Sequence, residues 1–428
     1  MVTKMEYWRR NLLMMWISQL LVNIGFAAAF PFIPLYIRDA FGIIDPALRG
    51  YYMARFYFFG VLAYAIFTPL WGALGDRFGI KLMLYRGSFI SAFLYPLMGL
   101  VPNVHALIAL RFVIGSLSGT TIAAQMLVVK TTPNERQGFA LGVLGTAIWG
   151  GAMLGDVTGG LVVHYFGYFA AFLLCGILFF ISGLFVILAK DSEKLHVAPA
   201  AVSGHRHSHW HSFRARQSRK LNGTFTLPVR AMLVVFLLAG LILRLNMPYT
   251  TLMVEDINGP DKAAYWMGII AAFAAGAAMI SGVVLGALSD KFAEWKLTTP
   301  AQLLSAVLMF LSAGTHSLLG FGVCHALNNL AVGGLHSVFQ KVTASLVPHT
   351  KRGAVLGGAT TAFNAGFMLA TVVSGAIVKS LGLRSVYYTA SAMLLVMAVS
   401  TALIIRRVKR SCPAAAVPAP AHRTKSLK

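Results

Sequence analysis

The chain has 428 residues, of which 57% are hydrophobic and only 11% charged, and its formal net charge is +23. That composition leaves too little polar surface to enclose a water-soluble core, so it excludes an ordinary soluble enzyme and places the chain in lipid. The positive excess raises nucleic-acid binding as a second reading, which the placement of the cations along the chain decides.

A helix needs about 20 apolar residues to cross a bilayer. Such runs fall, in chain order, at about 12–37, 51–73, 81–100, 105–129, 138–163, 168–189, 230–254, 264–288, 297–315, 320–344, 353–379 and 384–406, which makes twelve. Lipid offers backbone groups no hydrogen-bond partner, so all twelve are expected to be helices. The first follows Arg9 and Arg10, is too long for a signal-peptide core and lacks a small-residue cleavage site, so it reads as a retained span. It carries Asn23 as a cavity candidate and Pro31 and Pro34, which read either as part of a site or as plain kinks.

The second span runs into Gly72-Ala73-Leu74-Gly75-Asp76-Arg77-Phe78, and the fourth holds Arg111 and Gln125. The fifth reads Gly145, Gly150, Gly155-Asp156 and Gly159-Gly160, and Asp156 is the only one of the 13 acidic residues inside an expected span. A lone carboxylate at membrane depth costs several kcal/mol unless it is paired, protonated or hydrated, so it is a functional residue by default. Arg111 enters helix 4 about 9 Å from the outer side and Asp156 lies roughly 11 Å from the outer end of helix 5, which predicts an ion pair between adjacent antiparallel helices. Two readings stay open: a permanent buried pair, or a proton-linked or substrate-linked switch that opens.

Residues 190–229 form a polar linker containing His205, His207, His209 and His211. Alternate histidines on an extended segment suit a transition metal, and the plainer reading is a solvated basic linker lying on anionic lipid. The seventh span places Arg244 near its middle, ahead of Asn246 and Pro248. In the tenth, His325, Asn329, His336 and Gln340 share a helical stripe beside Asn328, suited to lining a cavity or carrying a proton, or to hydrogen bonding between packed helices. The tail from 407, rich in Ala and Pro, reads as disordered. Cys175, Cys324 and Cys412 fit neither a disulfide framework nor a zinc spacing.

The phrase at Gly72 returns as Gly286-Ala287-Leu288-Ser289-Asp290-Lys291-Phe292, and the correspondence continues: Tyr51 with Tyr265, Lys81 with Lys296, Gln125 with Gln340, Gly151 with Gly366, Gly160 with Gly375. A duplication of this length implies two six-helix halves around a shared site. The expected organisation is an N-terminal bundle over 1–189, the linker 190–229, a C-terminal bundle over 230–406 and the tail 407–428. With the N-terminus inside, the inner segments hold 28 of the 36 Lys and Arg, against Arg38, Arg49, Lys262, Lys379 and Arg384 outside. That bias predicts a multi-pass protein of the inner membrane with both termini cytoplasmic, and it makes nucleic-acid binding the weaker reading.

The stretch from Gly72 through Gly75, Asp76, Arg77 and Gly79 to Lys81 resembles the signature loop of the major facilitator superfamily, and the resemblance covers nearly the whole chain. Arg111 within Leu110-Arg111-Phe112-Val113-Ile114-Gly115 and the Asn23 to Tyr36 segment are similar to its twelve-helix drug:proton antiporter branch. The sequence departs where Asp156 stands in place of a signature proline and where Ile80 replaces a common basic residue. The resemblance implies an all-α integral membrane fold, two pseudo-symmetric six-helix bundles, alternating access, and a cytoplasmic latch from Gly72, Gly75, Asp76, Arg77, Gly79 and Lys81 with Gly286, Asp290 and Lys291. It implies a monomeric transporter with protons and a small-molecule substrate as partners, no cofactor and no catalytic residues.

No Gly-x4-Gly-Lys-Ser/Thr loop occurs, so a gradient must drive any uphill step. The expected site is Asp156, Arg111 and Arg244, and the excess of cations over carboxylate in the spans predicts an anionic or zwitterionic substrate. Proton-coupled efflux of amphipathic molecules is the first expectation. Uptake of an anionic metabolite, nutrient or siderophore is the second, and a non-transporting receptor using the histidine-rich linker is the third.

Overall fold

The computed structural model describes residues 4–133, 136–189, 226–348 and 352–411. The four linker histidines and Cys412 lie outside the described residues, as do the side chains of Gly72, Asp76 and Arg77. The described residues form helices α1 (Lys4–Ala29), α2 (Ile33–Phe41), α3 (Pro46–Phe78), α4 (Ile80–Leu97), α5 (Val104–Leu117), α6 (Thr120–Thr131), α7 (Gln137–Leu188) and α8 (Leu227–Leu243). They continue with α9 (Thr250–Asn258), α10 (Ala263–Lys291), α11 (Glu294–Gly314), α12 (Leu318–Val332), α13 (Leu335–Ser345), α14 (Arg352–Leu381) and α15 (Ser385–Ser411), and no strand occurs among them.

Fifteen helices make twelve traverses because some spans are broken and one pair is fused. α1 with α2, α5 with α6, α8 with α9, and α12 with α13 are single spans interrupted midway, whereas α7 holds spans 5 and 6, two helices that meet at Gly167 without an intervening loop. The chain reverses at Gly167, whose φ of 79° and ψ of 177° only glycine adopts without strain. Among the described residues, eight segments are long and apolar enough to cross a membrane, α7 counting once. The remaining traverses are the more charged α3, the 18-residue α4, and the broken α5 and α6.

The breaks obey the duplication. Span 1 is interrupted by a turn of 3-10 helix at Phe30–Phe32 and span 7 by one at Met247–Tyr249, each with proline in its first turn. Proline removes a backbone donor and blocks the preceding turn, so both prolines act as more than gentle kinks. Span 4 breaks at Ser118 and Gly119, with Gly119 at φ +126°, and span 10 breaks at Gly333 and Gly334.

Calling the end that bears residue 4 the near face, the halves are closed against each other at the far face. There α7 crosses α10 so closely that a Cβ on Gly160 would sit 2.9 Å from the Ala264 carbonyl oxygen, and one on Gly268 would sit 2.6 Å from the Asp156 carbonyl oxygen. The duplicate of this crossing joins α14 to α3, where a Cβ on Gly375 would lie 2.8 Å from the Ala54 Cβ. Lower down, Cβ atoms on Gly142, Gly145, Gly282 and Gly286 would meet nothing within 4 Å, so spans 5 and 8 part towards the near face.

Charge completes the far closure. Glu255 on α9 accepts from Arg38 Nη1 at 2.6 Å and Arg49 Nη1 at 2.5 Å, and its side chain is 11% exposed against 4% for Arg49. Arg38 also bonds Asp39, which accepts from the Tyr168 hydroxyl at 2.5 Å, and Thr251 donates to the Pro31 carbonyl in the break of span 1. At the near face Lys81 bonds the Ile187 carbonyl at 3.1 Å, and Lys341 bonds Asp290 at 2.5 Å and the Ser289 carbonyl at 2.6 Å, each within its own half.

A valine at Gly160 would therefore force α7 and α10 apart where they touch. Gly160→Val is expected to raise thiol labelling of a Met53→Cys reporter, 1% exposed here, from the far side. Labelling as slow as in the glycine parent would count against this crossing as the far-face seal.

Candidate functional site

Below the far closure lies a cavity of about 490 Å³ walled by both halves. The backbone of α7 explains how its one carboxylate arrives there. Gly155 and Gly159 press on span 1, where a Cβ would lie 2.4 Å from the Ile24 carbonyl oxygen and 2.4 Å from the Ala28 Cα. Asp156 and Gly160, four residues apart on the next face, turn towards α10 and the cavity. The Asp156 side chain makes no hydrogen bond or ion pair with any described residue.

Arg111 and Arg244 reach the same cavity from opposite halves. The expected Arg111 to Asp156 ion pair is not formed among the described residues. Instead, the Arg111 guanidinium carbon lies 4.7 Å from the Phe30 ring centre and 5.5 Å from that of Phe56, because the break at Phe30 turns an aromatic face towards it. Its Nε is buried without a hydrogen-bond partner. A Cβ on Gly60 would lie 2.5 Å from that nitrogen, so the glycine makes room for the guanidinium.

Arg244 caps α8 at the point where span 7 breaks. It lies 5.9 Å from the Phe363 ring and 6.0 Å from Phe367, and Nη1 donates to the Met247 sulfur at 3.6 Å. Two guanidiniums held on aromatic faces against one carboxylate leave the cavity with a net +1 when Asp156 is ionised and +2 when it is protonated.

Of the other expected cavity residues, Asn23, Asn246, His325 and Asn329 line the wall. Asn23 and Asn329 spend one amide donor each on the preceding turn, to the Gln19 and His325 carbonyls at 2.7 and 2.9 Å, and His325 stacks on Phe321 at 5.8 Å. Gln125, His336 and Gln340 are not part of the wall, which corrects the stripe expected along span 10. That stripe assumes an unbroken helix. Span 10 turns at Gly333 and Gly334, where Cβ atoms would strike Ala278 Cα at 2.7 Å and the Ser281 carbonyl oxygen at 2.5 Å, and His336 and Gln340 lie beyond that turn on α13. His336 packs between Phe236 and Phe363 and bonds Gln340 across 3.1 Å, the helix-packing alternative, and Gln125 lies exposed beyond the matching break in span 4.

Sequence reasoning missed Tyr57. It is 6% exposed, lines the cavity and stands within electrostatic reach of Arg111, Arg244 and Asp156 together, with its ring 6.2 Å from Phe367. In an aromatic-rich span nothing distinguishes it from its neighbours Phe56 and Phe58. Trp149, Phe26 and Thr251 stand on the same wall, whose apolar part is both aromatic and aliphatic.

Comparison with known proteins agrees with this architecture. The Major Facilitator Superfamily profile matches residues 15–327 and 301–427. A multidrug resistance protein, MdtG of Klebsiella pneumoniae, is 26% identical over 401 residues, covering 94% of each chain. The multi-drug resistance efflux pump PmrA of Streptococcus pneumoniae is 24% identical over 388 residues, 90% of this chain and 93% of its own. Among solved structures, the nucleoside transporter NupG superimposes with a TM-score of 0.73 at 13% identity, over 92% of this chain and 99% of that one. The chain belongs to the major facilitator superfamily, and it is a transporter rather than an enzyme.

An arginine buried without a carboxylate bears a desolvation cost that no counter-charge offsets, so an apolar side chain of similar volume relieves that cost where the charge has no structural task. Arg111→Met is therefore expected to raise the thermal unfolding midpoint while abolishing transport. A lowered midpoint would show that Arg111 holds the fold.

Proposed function

We propose that this major facilitator protein exports amphipathic small molecules bearing an acidic group by proton-coupled alternating access. The observation that carries the reading is the pair of guanidiniums, Arg111 and Arg244, facing one cavity from opposite halves with Asp156 as its unpaired acid. Aromatic and aliphatic wall residues suit the apolar body of a substrate, the arginines suit a carboxylate or phosphate, and Tyr57 shares the wall with the three charged groups. Asp156, the one carboxylate on the wall, is the group that takes the proton, and its change of charge alters the field at the two arginines where the acidic group of a substrate would sit. Burial beside the α7 and α10 crossing ties its charge to the seal that must open.

The relatives named for multidrug resistance support export, and the one-sided placement of cations supports cytoplasmic termini in an inner membrane. Gly72 through Lys81 and Gly286 through Lys291 would then act as the cytoplasmic latch that closes when the far face opens, in a single chain working as a monomer. Uptake of an anionic metabolite, nutrient or siderophore remains the second reading, favoured by the same positive cavity.

Asp156→Asn is expected to fold normally, since its carboxylate has no partner to lose, and to abolish substrate movement driven by a pH gradient in proteoliposomes. Unchanged coupling would remove Asp156 from the mechanism. In inverted vesicles export predicts accumulation of acidic amphipaths, flux in the opposite direction selects the uptake reading, and transport confined to cationic dyes would contradict the substrate class.

A further inference from the structure

A second groove, of about 550 Å³, runs along the lipid side of the seam between α3 and α14 and shares no lining residue with the central cavity. It is lined by Arg55 from one half and Lys379 from the other, both exposed. The two cations flank one ring: the Arg55 guanidinium carbon is 4.5 Å and the Lys379 Nζ 5.4 Å from the centre of Tyr51. Neither enters an ion pair among the described residues. Below them the groove is floored by Phe58, Phe59 and Val372.

Duplication supplies a control for what this arrangement is for. At the matching seam between α7 and α10, Tyr265 stands for Tyr51 and is met by His164 at 6.0 Å, while Ile269 occupies the place of Arg55. The ring thus recurs at both seams, with His164 in the place of Lys379, whereas the Arg and Lys pair occurs at one. A lipid-facing cation is costly unless an interfacial anion meets it.

We propose that this groove binds the phosphodiester headgroup of an anionic phospholipid from the far-face leaflet, with an acyl chain along Phe58, Phe59 and Val372. Arg55 and Lys379 share the phosphate from the two halves, and the charge of the pair selects a net anion over a zwitterionic headgroup. The groove exists as a unit only while α3 and α14 touch at Ala54 and Gly375, so the bound lipid stabilises the far-closed arrangement through linkage.

Native mass spectrometry of the purified full-length protein tests this, with phosphatidylglycerol, phosphatidylcholine and free glycerol phosphate as probes. Phosphatidylglycerol is expected to be retained about tenfold more tightly by the parent than by Arg55→Gln with Lys379→Gln, the loss of about 1.4 kcal/mol that a tenfold change represents. Lys130→Gln with Lys296→Gln, which removes two exposed near-face cations, should retain it like the parent. Equal retention by both double variants, or no preference for phosphatidylglycerol over phosphatidylcholine in the parent, overturns the proposal. Displacement of the lipid by free glycerol phosphate would instead identify a soluble anion site and overturn the lipid assignment. Should the Arg55 and Lys379 double variant unfold, Arg55→Lys alone is read against Arg55→Gln: charge-dependent retention supports the site, and equal retention rejects it.

Discussion

Glu255, gripped by Arg38 and Arg49 at 2.6 and 2.5 Å, is the contact on which the present shape of the molecule depends. It joins α9 of one half to the ends of α2 and α3 of the other, at the only end where the broken and crossing helices also meet closely among the described residues. Removing Glu255 leaves Arg38 paired with Asp39 but strips Arg49, 4% exposed, of its carboxylate, and a charge so nearly buried without compensation costs about 3 kcal/mol. That is comparable to the few kcal/mol that separate two states of a bistable protein. With the far end clasped and spans 5 and 8 parted below, the cavity is reached from the near face.

The clasp lies where the two halves differ, and so does everything else that distinguishes this chain within its fold. The crossings of α7 with α10 and α14 with α3, and the breaks at Pro31 and Pro248 and at Gly119 and Gly334, repeat faithfully between halves. Asp156 falls on Thr371, Arg111 on Ala326 and Arg55 on Ile269. Symmetric features build a scaffold that can rock about a central site. The unmatched charges give that scaffold a carboxylate, a pair of anion-binding guanidiniums and a cationic seam.

Fold and repeat were legible in the sequence because they rest on hydrophobic length and on a motif written twice, both of which survive without coordinates. The convergence of Asp156, Arg111 and Arg244 was legible too, since charged residues at membrane depth have few places to go. What the sequence concealed are consequences of helix breaks. A shared stripe says nothing of depth: His336 lies about 16 Å along the axis from His325, beyond the turn at Gly333, where it packs on Phe236 and Phe363 instead of the wall. Similar depth for Arg111 and Asp156 was a sound expectation, but depth says nothing of rotation, and the break at Phe30 offers Arg111 an aromatic face instead. Tyr57 and the Glu255 clasp were invisible for a different reason: a tyrosine among aromatics and a glutamate just past a predicted span end carry no periodic signal.

The clasp is open to a direct distance measurement. Spin labels at Ile44 and Asp261 would report the far face and labels at Phe139 and Phe292 the near face, all four positions being exposed. In the parent the far-face distance should be short and narrowly distributed, and Glu255→Gln should populate a longer far-face and shorter near-face distance, since about 1.4 kcal/mol already shifts a two-state equilibrium tenfold. Distance distributions unchanged by Glu255→Gln would contradict the claim that this carboxylate holds the far side closed.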